Sequence, residues 1–171
     1  MKKTNNNGFS LVELIVVIAI MAVLIGVMAP ALLGNIEKSR ESNDLNTLDT
    51  VYQAVKTAYG DESGNKAAKS LNNNAIATGM PITTITGAAS NNVFAKLVSE
   101  YLDGQNPNDE LTSDAAKAAS GQIYVQIKDG KIRVWIGTAN AVNKTVKTLD
   151  TAGNPKNFEI GTGAGSASSS N

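Results

Sequence analysis

The sequence contains no cysteine and no histidine. Their absence removes the thiol nucleophile, the commonest general base and the usual zinc ligands. An exported protein of this composition must also hold itself together without disulfides. Net charge is missing as well, with 15 Lys+Arg against 15 Asp+Glu, so nucleic acid is not indicated as a partner. Charge is absent locally too, since no charged residue stands between Glu13 and Glu37. An α-helix needs roughly 20 largely apolar residues to cross the hydrocarbon core of a bilayer. The run Leu14 to Leu33 satisfies that length. One carboxylate, Glu13, stands at its very start, and an ionisable group at such a place marks a candidate functional site.

Ahead of the run lies a polar leader with Lys2, Lys3 and Asn5-Asn6-Asn7-Gly8. Positive charge on that side keeps the N-terminus cytoplasmic and places everything after the run outside. The stretch Gly8-Phe9-Ser10-Leu11-Val12-Glu13, with the apolar helix behind it, resembles the class III signal of type IV pilins and type II secretion pseudopilins. The resemblance extends over roughly the first 50 residues. It implies that a prepilin peptidase cuts between Gly8 and Phe9 and methylates the new amino terminus. It also puts Glu13 on the family's glutamate position and Pro30 on a proline that many members carry. The implied partners are copies of the same chain in a homopolymeric filament, the pilus assembly machinery and, before assembly, membrane lipid. Many pilins of diderm bacteria close a C-terminal loop with a disulfide, a pattern from which this cysteine-free chain departs.

Two plainer readings stand beside this one. Ala29-Pro30-Ala31 has the form of a signal-peptidase site, with Lys2 and Lys3 as the basic region. A cut after Ala31 would release a secreted binding module. Against it, Glu13 interrupts the approach to the apolar run, which exceeds the usual h-region of about 7 to 15 residues. A simple single-span anchor leaves the sequence from Gly8 to Glu13 unexplained.

Roughly 140 residues follow the span, enough for one domain with its own core. The expected organisation is a leader at 1–8, a membrane or filament-core helix at 9–33, and an exported domain at 34–171 with a loose tail near 161–171. From Gly34 to Tyr59 the chain turns polar but keeps a helical period, with Leu45, Leu48, Tyr52, Val55 and Tyr59 on one stripe. Lys38, Arg40, Glu41, Asp44, Asp49 and Lys56 fall mostly elsewhere. Gly60 suits the position just beyond the helix, and Asp61-Glu62-Ser63-Gly64 reads as a loop. Gly26 and Pro30 predict a kink or a melted segment, because an interior proline removes a backbone hydrogen bond at a cost of about 3 kcal/mol.

Further along, Pro81 to Thr86 reads as a short edge strand. Asn91 or Asn92 is placed to cap a helix whose face is Phe94, Leu97, Val98, Tyr101 and Leu102, ending near Asp103-Gly104. Asn106-Pro107-Asn108 marks a turn, and Ser113 to Ala119 allows a helical turn or two. The strongest signal is a hairpin around Asp129-Gly130, a dipeptide suited to a type I′ turn. Counting outward pairs Ile127 with Ile132, Val125 with Val134 and Ile123 with Ile136 on an apolar face. Tyr124, Trp135, Gln126, Arg133, Lys128 and Lys131 then lie on a face that meets solvent or a neighbour. Asn143 to Leu149 or Asn157 to Ile160 would supply a third strand. The fold class is α+β, a pilin-like arrangement of a long N-terminal helix on a small antiparallel sheet.

No constellation supports catalysis, and no cofactor or metal is expected. Asp61/Glu62 and Asp109/Glu110/Asp114 are acidic clusters whose spacing fits no ion-binding loop. After Asp129 the chain offers only Asp150 and Glu159 as carboxylate side chains. Major secretion pseudopilins typically bind calcium in that region, so the resemblance leans toward a pilus subunit, with a pseudopilin of a secretion or competence system as the alternative. Asn143-Lys144-Thr145 fits a glycosylation sequon of little weight.

Overall fold

The computed structural model describes residues 9–137, 148–149, 155–156 and 159–161. The chain divides into two compact units, Met1–Ile36 and Glu37–Asn171. One helix, α1 (Leu11–Gly60), contributes residues to both. Within the first unit α1 is continuous through Gly26 and Pro30. The leader Met1 to Gly8 lies outside the described residues, as do Asn143-Lys144-Thr145, Asp150 and the tail 162–171.

In the second unit, α1 buries Asp44, Thr47, Leu48, Val51, Ala54, Val55 and Ala58. These positions recur at spacings of three and four, as a helix facing a core requires. The stripe differs from the apolar one expected. Leu45 is 39% exposed, and Tyr52 and Tyr59 sit half-buried at the margin. The reason is that two members of the true stripe, Asp44 and Thr47, are polar and buried.

Gly60 is the last residue of α1 rather than the residue beyond it, and no loop follows. Asp61 takes an extended conformation and caps α2 (Glu62–Ser70), its carboxylate accepting the Gly64 N–H at 3.0 Å. A Cβ on Gly64 would stand 2.0 Å from the Ala58 carbonyl oxygen, so glycine is needed for this tight passage. A 3₁₀ stretch, Leu71–Ala77, follows and contains Asn72, Asn73 and Asn74 at φ 45, 55 and 67.

Only Met80–Pro81 forms a strand, β1; residues Ile82–Gly87 form a short helix, α3, where an edge strand was expected. Both Ile82 and Ile85 are fully buried. Residues three apart share a helix face but fall on opposite faces of a strand, so burying both favours the helix. Asn92 caps α4 (Val93–Tyr101) by accepting the Ala95 N–H at 3.1 Å. Phe94, Val98 and Leu102 are buried, whereas Tyr101 is exposed. Asn106 caps a 3₁₀ turn at Pro107–Glu110, and Ser113 caps α5 (Asp114–Ala118).

The hairpin β2 (Ile123–Lys128) and β3 (Lys131–Ile136) has the register expected, from Ile123 opposite Ile136 to Lys128 opposite Lys131. Asp129 and Gly130 have φ 51 and 75, as a type I′ turn demands. Strands β4 (Thr148–Leu149) and β5 (Pro155–Lys156) pair with each other, while β6 (Glu159–Gly161) lies antiparallel to β3. The main sheet therefore runs β1-β2-β3-β6. Of the two stretches expected to add a strand to the hairpin, the later one does so through Glu159–Gly161, and Gly161, expected in the loose tail, is part of it.

The C-terminal half of α1 packs on this sheet. Leu48, Val51 and Val55 share one core with Val125, Ile127, Val134 and Ile136, joined by Phe94 and Val98 from α4. Each such side chain contributes about 1.5–3 kcal/mol by leaving water. The opposite face of the hairpin is less open than expected. Trp135 is only 5% exposed, stacks on Tyr124 with ring centroids 5.8 Å apart, and carries Arg133 over its ring at 6.0 Å. Gln126 is also buried and donates to the Ala77 carbonyl at 2.8 Å, so the 3₁₀ stretch covers part of that face.

Candidate assembly site

Glu13 lies in the first turn of α1, and its carboxylate has a partner within the chain. The Ser10 N–H donates to Glu13 Oε2 at 2.9 Å, and the Leu14 N–H donates to the Ser10 carbonyl at 3.3 Å. The first backbone donors of a helix have no partner inside it. A serine followed three residues later by glutamate is the pattern that satisfies one of them from the glutamate side chain. The negative charge also faces the positive end of the helix dipole. Phe9, immediately before, is 90% exposed. Phe9 and Glu13 are thus brought to one end of one helix, while Gly8 lies outside the described residues.

Behind this end the helix surface is apolar and uncovered. The most apolar 18-residue window of α1 is long enough to cross a membrane, and none of it is buried. Between Leu14 and Leu33 the large apolar side chains range from 46% exposed at Val17 to 75% at Val27. A soluble monomer does not leave so large a continuous apolar surface in water. It requires lipid or other helices. Gly26 sits inside this surface, and a Cβ added there would meet nothing within 4 Å. The glycine is therefore not demanded by the chain's own packing. Pro30 lies one turn further on in the same continuous helix.

The second unit carries anchoring residues that the apolar pattern overlooked. Asp44 is fully buried, and its carboxylate accepts the Thr112 N–H at 2.9 Å, the Ser113 N–H at 3.1 Å and the Ser113 hydroxyl. Thr47 donates to Glu110 Oε2 at 3.2 Å, and Glu37 Oε1 accepts the Asp114 N–H at 2.6 Å. Together these bonds fasten α1 to the 110–114 segment. The signal was present in the sequence, because Asp44 and Thr47 continue the three-and-four spacing of Leu48, Val51 and Val55.

Three of the carboxylates in the acidic clusters, those of Asp61, Asp109 and Glu110, make structural bonds. The Glu110 carboxylate serves the anchor just described, Asp114 joins it through its backbone N–H alone, and Asp109 Oδ1 accepts from Asn106 at 3.0 Å. Among the described residues no three His, Cys, Asp or Glu side chains are grouped so as to hold a metal ion. The Ser63 hydroxyl, followed by the Gly64 N–H, holds the Asp61 carboxyl below the usual aspartate range.

Comparison with known proteins agrees with the N-terminal geometry. The family model of the prokaryotic N-terminal methylation motif matches residues 3–29. The chain therefore carries the signal of type IV pilins and pseudopilins. No curated protein sequence and no solved structure matches it.

Proposed function

We propose that this bearer of the pilin-type methylation signal is a structural subunit of a type IV pilus or pilus-like filament. The family defined by that signal is structural rather than catalytic, and the motif implies a prepilin peptidase substrate and pilus-type assembly. The observation that carries the reading is the pairing of this motif with an apolar helix surface left wholly uncovered. In the precursor the surface sits in lipid as a single span, with the N-terminus in the cytoplasm. Cleavage after Gly8 exposes an amino group on Phe9, which is then methylated. The same side chains from Leu14 to Leu33 afterwards pack against those of other copies outside the cell surface, so burial and close packing drive assembly.

Glu13 gives assembly its register. The new amino group of Phe9 on one copy faces Glu13 of a neighbour, and unit charges about 4 Å apart attract by about 4 kcal/mol at an effective dielectric near 20. That attraction offsets the desolvation that a lone carboxylate would suffer in an apolar bundle. Gly26 and Pro30 mark where the helix yields, because each weakens a helix interior. Of the roles open to such a filament, the pilus is favoured over the pseudopilin by the scarcity of carboxylates after Asp129.

Intact-mass measurement and N-terminal sequencing of the protein from cells test the processing. The expected chain begins at a methylated Phe9, and Gly8 replaced by a bulky residue blocks the cut. A chain beginning at Leu32 identifies a conventional secreted protein and removes the filament reading.

A further inference from the structure

A cavity of about 530 Å³ opens beside the hairpin tip, lined among others by Tyr59, Lys69, Asn74, Ile76, Lys128 and Asp129. Its size falls within the range of small-molecule sites. It also lies next to a run of unusual backbone. Asn72, Asn73 and Asn74 are three successive residues in left-handed conformation. L-residues visit that region singly, and a run of three is strained. Such strain collects at binding and catalytic sites, where the surrounding structure holds it in place. Here the run ends at Asn74, which lines the cavity.

The lining combines three chemistries. Ile76 gives an apolar floor, and Tyr59 adds a half-buried aromatic side chain. Asn74 and Asp129 bring an amide and a carboxylate suited to hydroxyl groups. Lys69 and Lys128 bring two ammonium groups from different elements, and among the described residues neither has an ion-pair partner. Against these two exposed ammonium groups the lining sets one carboxylate, Asp129, so the cavity keeps a net positive charge that suits an anion. An aromatic ring beside hydroxyl-binding groups suits a polyhydroxylated ring with an apolar C–H face.

We infer that this cavity binds a carboxylated sugar, with Lys69 and Lys128 on the carboxylate, Asn74 and Asp129 on ring hydroxyls, and Tyr59 against the ring face. The assignment goes beyond filament assembly and uses none of the residues proposed for it. The sugar can come from an acidic polysaccharide or from a free sugar acid, and the two share the chemistry.

Titration of the full-length protein in zwitterionic detergent tests the site, followed by saturation-transfer NMR with trigalacturonate, galacturonate and neutral maltotriose. Both acidic ligands are expected to bind, and maltotriose about tenfold more weakly or not at all. Tighter binding of the trimer points to a polymer, and equal binding to the free acid. Lys128→Ala with Lys69→Ala is expected to weaken binding about tenfold or more, the loss of a charge-assisted contact. Lys131→Ala is the control, since Lys131 pairs with Lys128 across the hairpin but does not line the cavity. The proposal is overturned by equal binding of acidic and neutral sugars, by Lys131→Ala weakening binding as much as Lys128→Ala, or by no binding of either acid.

Discussion

The carboxylate of Asp44 holds Ser113 twice, by the backbone N–H at 3.1 Å and by the hydroxyl, although the two residues lie 69 positions apart. Ser113 in turn accepts the Ala116 N–H at 3.0 Å and so begins α5. One buried acid thus fastens α1 to the segment that leads into the hairpin. Asp44→Ala leaves the buried Ser113 N–H and hydroxyl without their acceptor, while the N–H of exposed Thr112 turns to water, and a buried unsatisfied donor costs about 1–3 kcal/mol. The expected loss is about 2–3 kcal/mol, since the lost hydrogen bonds go to a charged acceptor. Denaturant unfolding followed by the fluorescence of Trp135, the single tryptophan, measures it. A change below about 0.5 kcal/mol, the range of ordinary surface substitutions, contradicts the anchor.

The two faces of the hairpin make separate demands. Val125 is fully buried in the core shared with α1, and Val125→Asp places an unpaired charge there, which costs several kcal/mol and unfolds the domain. Gln126 points the other way yet is only 5% exposed, and its amide donates to Ala77. Gln126→Asp loses that bond but sets its carboxylate near Arg133, whose Nη1 lies 3.5 Å from the present amide oxygen, so it should cost about 1–3 kcal/mol and leave the fold intact. A harmless Val125→Asp beside a ruinous Gln126→Asp reverses the assignment of faces.

Asp61 predicts a local acid sensitivity. Its folded-state pKa is depressed by the Ser63 hydroxyl and then by the Gly64 N–H. A depressed carboxyl contributes stability that is present above its unfolded pKa and lost as pH falls through the folded one. The start of α2 should accordingly loosen only on the acid side of the ordinary aspartate range. Carboxyl-detected NMR titration should place the Asp61 midpoint below that range, and Ser63→Ala should move it upward. An unmoved midpoint in Ser63→Ala contradicts the attribution.

Much of this architecture was legible in the sequence, because its signals are local. The Asp129-Gly130 turn and two alternating runs determine the whole hairpin register, and Asn92 announces α4 through its own side chain. What escaped depends on distant partners. Asp44 counts as a surface acid until Thr112 and Ser113 are brought to it. Ile82 and Ile85 sit in a β-prone stretch, and only the need to bury both makes it helical. Asp61 looked like the opening of a loop because its capping bond needs the chain to turn tightly past Ala58. The Ser10-to-Glu13 spacing already carries the capping pattern, and the structure adds the 2.9 Å bond that realises it.

That capping role sharpens the test of assembly. Glu13→Ala removes both the acceptor for the Ser10 N–H and the charge, whereas Glu13→Gln retains an acceptor and removes only the charge. If capping alone matters, Glu13→Gln behaves as the parent. The measurement that decides is the amount of filament in shear fractions, with electron microscopy, from cells whose only copy carries Glu13→Gln. Processing at Phe9 is checked by mass in the same cells. The account predicts normal cleavage and a folded domain with filaments absent or severely reduced. Abundant, normal filaments from Glu13→Gln would contradict a charge pair between Glu13 and the neighbouring amino terminus.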